Sequence, residues 1–250
     1  MFMNELRFII GCCCLGCFSY PTLAATGVAV GNQTAGVTLG GSRVIYPLSS
    51  RGEFLSVKNP QNFPILVKSS VLDEAQKKDA PFIITPPLFR LDGGQRNALS
   101  ITRTGGDYPA DRESVNWICV QGIPPSSDSE WASNNSDKNK VSMSIQMITG
   151  SCIKLFVRPE KLSGNPVDVA DKVSWKMTGK TITADNPTPF YMNVSSLTFN
   201  GAQLNMARSY IPPFTEEKIP LPSGAAGRGT LKWEVIGDYG EKKEKTVQVN

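Results

Sequence analysis

Histidine is absent from the whole chain of 250 residues. That excludes Ser-His-Asp and Cys-His nucleophile pairs, His-ligated zinc and imidazole-based pH switching. Most hydrolase and metalloenzyme chemistries go with them, and no metal or other cofactor is expected. A strong charge excess is lacking as well. The 26 Lys and Arg against 22 Asp and Glu leave a formal +4, without the clustered basic footprint of a nucleic-acid-binding surface. No apolar run reaches the roughly 20 residues of a membrane span, so no membrane insertion of the mature chain is expected. Sustained helical periodicity is also missing. The one short polar candidate, Asp73 to Lys78, has no apolar stripe to bury and reads as a loop.

What is present starts with six cysteines. Cys12, Cys13, Cys14 and Cys17 fall in FIIGCCCLGCF (Phe8 to Phe18), after Arg7 and before Ala24 and Ala25. This is the layout of a secretory signal peptide, expected over residues 1–25. The C-x-x-C spelled by Cys14 and Cys17 lies inside that discarded segment, and Cys14 is the wrong first residue for a lipidation box. Cys119 and Cys152 remain. In an oxidising compartment two lone thiols pair, and closing a loop of about 34 residues stabilises by roughly 3 to 4 kcal/mol on the chain-entropy model.

From Thr26 onward the chain alternates strands and turns. Val67–Leu72, Asn97–Arg103, Val141–Met147, Tyr191–Phe199 and Thr230–Ile236 are short, alternating, and rich in β-branched or aromatic residues. Turn formers such as Asp92-Gly93-Gly94, Gly105-Gly106-Asp107 and Asn200-Gly201 separate them. The class is all-β and the strand spacing indicates sandwiches. About 225 mature residues suit two such domains. Arg158-Pro159 after the apolar strand Cys152–Val157 marks the boundary, giving domains over 26–158 and 159–250, the first with a long polar loop at 124–140.

Val141, Met143, Ile145 and Met147 alternate with Ser142, Ser144 and Gln146, so one strand face is apolar and the other small and polar. One reading is an ordinary half-buried sandwich strand. The other follows from its position after a long loop: a strand extending past the domain body has unpaired edges, which are hazardous unless another chain pairs with them.

The motifs GSRVIYP (Gly41 to Pro47), TPPLFRLD (Thr85 to Asp92), DRESVNWICVQGIPP (Asp111 to Pro125), CIKLFVRP (Cys152 to Pro159), NPTPFYMN (Asn186 to Asn193) and GDYG (Gly237 to Gly240) occur in that order. Together they resemble the periplasmic pilus chaperones of the chaperone/usher pathway. The long loop with its flanking cysteines resembles the long-loop subclass, which serves thin, capsule-like fibres. The resemblance implies two immunoglobulin-like sandwiches at an angle with a subunit-binding cleft between them, in the periplasm. It also implies donor-strand complementation of a fibre subunit and its delivery to an outer-membrane usher.

By motif, Arg43 and Lys154 match the basic pair that anchors the subunit's terminal carboxylate. Val141, Met143, Ile145 and Met147 match the donor residues, and the stretch before Gly36, including Val28 and Val30, matches an N-terminal extension beside the donor strand. Glu113, Arg158 and Asp238 match a buried inter-domain charge cluster of structural role. Self-association through the donor strand is a further expectation.

A different class, an exported adhesin or fibre subunit with Ig-like domains, is disfavoured because the donor-like strand is internal and followed by another domain. An enzyme is disfavoured because its candidate carboxylate pairs, Asp73 with Glu74 and Glu216 with Glu217, are adjacent residues, which on a strand face opposite ways. The N-x-[ST] matches at Asn32, Asn134 and Asn193 read as chance.

Overall fold

The computed structural model describes residues 29–126, 142–222 and 227–249, excluding the side chains of 29–33 and 142–144. The expected signal segment, Val28, Val141, Asn134 and most of the 124–140 loop therefore lie outside the described residues.

The first half contributes β1 (Ala29–Ala35), β2 (Thr38–Leu39), β3 (Arg43–Pro47), β4 (Glu53–Lys58), β5 (Ile65–Leu72), β6 (Phe82–Thr85), β7 (Leu88–Leu91), β8 (Arg96–Arg103), β9 (Ser114–Ile123) and β10 (Ser142–Arg158). One sheet runs β1-β10-β9-β5-β7 with β3 also on β10, and the other runs β2-β4-β8-β6. The second half contributes α1 (Pro166–Val169), β11 (Ser174–Thr178), β12 (Thr181–Asn186), β13 (Met192–Phe199), β14 (Ala202–Gln203), β15 (Tyr210–Ile211), β16 (Thr215–Pro220), β17 (Gly229–Ile236) and β18 (Lys242–Val249). Its sheets are β11-β12-β16 and β14-β13-β17-β18, with β15 also on β13.

Period-two alternation explains both cores. Ile65, Val67 and Val71 of β5, Leu99 and Ile101 of β8, and Leu155 and Val157 of β10 fill the first sandwich. Trp175, Ile182, Leu197, Phe199, Leu231 and Trp233 fill the second. Asn200 and Gly201 both have positive φ (50° and 84°), the backbone a two-residue turn needs to join twisted strands. Asp73 to Lys78 is a loop of turns and bends.

Two differences from the sequence reading matter. Val141–Met147 and Cys152–Val157 read as separate strands. In the structure they belong to one strand of 17 residues. The break does not occur because the antiparallel ladder to β9 runs without interruption from Thr149↔Gly122 to Val157↔Ser114. The short helix α1 was also not anticipated. It is too brief for periodicity to show, and starts because Asn165 Oδ1 accepts from Val167 N and Pro166 sits in the first turn.

Between the sandwiches lies a smaller apolar cluster of Val115, Phe156, Tyr191 and Tyr210, with Ile45 and Trp117 packed against it. It forms the floor of the cleft.

Candidate functional site

The site is built on β10. Ile153, Leu155 and Val157 pack in or against the first core, so Lys154, Phe156 and Arg158 emerge on the opposite face, toward the second sandwich. β3 runs parallel to this stretch, with Arg43 in register with Lys154 and Ile45 with Phe156. One strand face thus carries a cation, an aromatic floor residue and a second cation.

The second cation is saturated. Arg158 donates Nε to Glu113 Oε1 at 2.8 Å and both terminal nitrogens to Asp238 at 2.7 and 2.8 Å, a bidentate geometry suited to the planar guanidinium. Glu113 also accepts from Tyr191 N at 2.9 Å. The structure brings all three predicted cluster residues together across the two sandwiches. Burial pushes the Glu113 carboxyl up from its ordinary value, opposed first by the adjacent Arg158.

The first cation is not saturated. Lys154 Nζ donates to Asn193 Oδ1 at 2.7 Å and lies 3.4 Å from Ser209 Oγ, both neutral acceptors. Its flanks are rings: Tyr210 at 4.6 Å and Trp117 at 5.7 Å to the centroids. Burial, and then the neighbouring Arg43 guanidinium, push the Lys154 ammonium down to about 8. Arg43 donates to the Ile236 carbonyl and Ser42 Oγ, each at 3.4 Å. Among the described residues neither cation forms a carboxylate ion pair. Two partly desolvated positive charges thus stand side by side, Arg43 within electrostatic reach of Asp238, Glu241 and Glu113.

Upstream, β10 runs past the sandwich. Ser142–Ile148 pairs in parallel with β1, Ala29↔Ser142 through Ala35↔Ile148. This places Val30 opposite Met143 and Asn32 opposite Ile145. Along the other edge, β9 pairing stops at Thr149, and among the described residues no strand continues it. Ile145 and Met147 are exposed at 41% and 53%, and Ile148 is also exposed. Of the predicted donor residues, Met143 is placed by backbone only and Val141 lies outside the described residues. β1 leaves the pair at Gly36, whose backbone passes so close to Gly122 that a Cβ there would stand 3.1 Å from the Gly36 carbonyl carbon. Two positions before β3 joins at Lys154, Cys119 and Cys152 are directly opposite partners in the β9 ladder and form a disulfide.

Several residues at the site escaped the sequence reading. Asn193 closes the NPTPFYMN motif and starts a chance glycosylation match, with no site role expected of it, yet it is buried and holds Lys154 while donating to the Tyr191 carbonyl. Ser209 and Tyr210 are adjacent, whereas Trp117 comes from β9, and no local spacing joins the two segments. Among the described residues no three His, Cys, Asp or Glu are grouped as a metal site. No described helix is long and apolar enough to cross a membrane.

The family model for the pili and flagellar-assembly chaperone, PapD N-terminal domain, matches residues 36–163. That for the pili assembly chaperone PapD, C-terminal domain, matches residues 168–247. The chain is 41% identical to chaperone protein caf1M of Yersinia pestis, covering 96% of this chain and 95% of the relative. It is 48% identical to chaperone protein AfaB of Escherichia coli, covering 81% and 83%. Among solved structures, the E. coli chaperone DraB superposes with a TM-score of 0.77 at 46% identity, covering 88% of this chain and all of that one. The Salmonella enterica SafB chaperone, solved in complex with the SafA pilin, superposes at 0.76 and 38% identity, covering 88% and 99%.

Proposed function

The chain belongs to the PapD-like family of pili-assembly chaperones, and from that premise we propose that it is an exported periplasmic chaperone for fimbrial or capsule-like fibre subunits. It works by donor-strand complementation and delivers its client to an outer-membrane usher. The signal segment is residues 1–25, and the two domains divide at 158/159. No catalytic step or cofactor enters this reading. The observation that carries it is Lys154, with Arg43 beside it on β3 and no carboxylate ion pair to either among the described residues, standing on the same strand as a projecting, apolar, half-paired edge.

In this reading the subunit's terminal carboxylate binds between Arg43 and Lys154 through charge-assisted hydrogen bonds, which sets the register of pairing. A subunit strand then adds along the open edge of Ser142–Ile148. Ile145 and Met147, with Met143 and Val141 ahead of them, fill pockets the subunit cannot fill itself. Burial of the first two alone contributes a gross of roughly 3 to 6 kcal/mol before ordering costs. Met side chains are adaptable and suit irregular pockets. Arg158, Glu113 and Asp238 hold the sandwiches at the angle that keeps both parts of the site aligned. The Salmonella relative's complex with its pilin supports the choice of client.

The test is to express the chain in a periplasm with candidate fibre subunits. One of them is expected to co-purify in equal amount, and to be lost when its C-terminal residues are deleted. Retention of no subunit, or retention indifferent to that deletion, contradicts the reading.

A further inference from the structure

Glu74, in the loop following β5, is half-exposed and belongs to neither charged group described above. Its contacts converge on the anchor from outside. Trp117 Nε1 donates to the Glu74 main-chain carbonyl at 3.1 Å, and the Tyr210 hydroxyl donates to Glu74 Oε1 at 3.3 Å. Trp117 and Tyr210 are the two rings flanking Lys154, one from each sandwich. Arg208 lies 4.0 Å from the same carboxylate oxygen, 3.5 Å from Glu217 and 5.6 Å from the Tyr210 ring centroid. One carboxylate from each of the two adjacent pairs noted in the sequence, Glu74 and Glu217, thus meets the same arginine.

The loop is built to hold this position. Asp73 Oδ1 accepts from the main-chain nitrogens of Lys77 and Lys78, and Asp73 N donates to the Lys78 carbonyl. Gln76 adopts a left-handed φ of 57°, and a Leu72↔Asp79 bridge closes the base.

We propose that Glu74 is a positioning residue of the carboxylate anchor, fixing the polar tips of Trp117 and Tyr210 so that the two rings hold the Lys154 ammonium toward the cleft. The proposal rests on the anchor reading above. A carboxylate bonded directly to Lys154 would compete with the subunit's own. Placed one step away, on the ring hydroxyl, Glu74 orients the walls and leaves the ammonium open, in the way outer partners orient the ligands of other charged sites.

The test uses the full chain with lysine isotopically labelled and two synthetic heptapeptides of alternating Val and Thr, identical except for a free or amidated C-terminus. NMR reads two quantities: the preference for the free acid, and the ring-current displacement of the Lys154 ε-methylene protons. The wild type is expected to prefer the free acid. Glu74→Ala is expected to cut that preference about tenfold, the scale of one lost hydrogen bond, and to shrink the ring-current displacement. Tyr210→Phe, which keeps the ring and its packing, should do the same, whereas Glu74→Gln, which keeps an acceptor oxygen, should preserve most of both. Unchanged preference and displacement in Glu74→Ala and Tyr210→Phe overturn the proposal while leaving the anchor standing. A wild type indifferent to amidation overturns the anchor reading itself, and this one with it.

Discussion

Arg158 and Lys154 project from the same face of β10, yet the first is enclosed by two carboxylates and the second meets only amide, hydroxyl and ring. Both are taken partly out of water by the same inter-sandwich contact. Arg158 stays charged because its partners are internal, so its group is complete in the free protein. Lys154 is left with a depressed affinity for its proton, which an incoming carboxylate would relieve. The charge satisfied internally ties the two sandwiches together, and the one without a carboxylate partner among the described residues is the one the proposed function assigns to a ligand.

The comparison is broken most severely at Arg158. Arg158→Ala strands Glu113 and Asp238 against each other, and unfolding in urea should show a loss of about 3 to 5 kcal/mol. A loss below about 1 kcal/mol would mean that the cluster is no more than a surface network. Lys154→Ala is expected to act the other way round. Subunit capture should fall by about 2 kcal/mol or more, the scale of charged hydrogen bonds, with the urea midpoint of the free protein unchanged or slightly raised. Normal recovery of subunit with this variant would remove Lys154 from the anchor.

Replacing Ile145 and Met147 together with Ser should weaken the complex by roughly 1.5 to 3 kcal/mol per side chain, while free-protein stability moves by less than about 0.5 kcal/mol, as for exposed positions. The same variant should show less concentration-dependent self-association in analytical ultracentrifugation than the wild type. A large stability loss would instead make this an ordinary core strand.

The smallest effect is in pH. Lys154 binds a carboxylate in its protonated form, and its folded value is lowered to about 8. Capture should therefore be flat from about pH 6 to 7 and decline as pH rises through about 8, well below the ordinary lysine range near 10.4. Lys154→Arg should abolish that decline, and a profile flat to pH 10 in the unsubstituted chain would contradict the assignment.

Much of the fold is legible in the amino-acid sequence itself. Alternation in Val67–Leu72 and Thr230–Ile236 shows one face of each strand going inward, and Asn200-Gly201 states its turn outright, because strand period and positive φ are local properties. The anchor is legible only in part. Arg43 and Lys154 lie in motifs, but the acceptors and rings around Lys154 come from segments near residues 117, 193 and 209, brought together by sheet pairing that no local spacing encodes. The continuity of β10 is hidden for the opposite reason. Two apolar runs with residues 148–151 between them read as two strands locally, and only the facing strand shows that the ladder passes through.

That continuity makes β10 a ruler. Ile145 stands nine positions before Lys154 on one extended strand, a span of about 30 Å at roughly 3.3 Å per residue. The odd spacing places it on the face opposite the ammonium. On the proposed anchor and donor roles, a client would have to present its terminal carboxylate and the matching pocket at that distance and on those opposed sides. Inserting or deleting a single residue between Met147 and Cys152 would shift the length only slightly, but it would turn every projecting apolar side chain to the wrong face. Client selection by this strand is thus a matter of parity as much as of pocket shape.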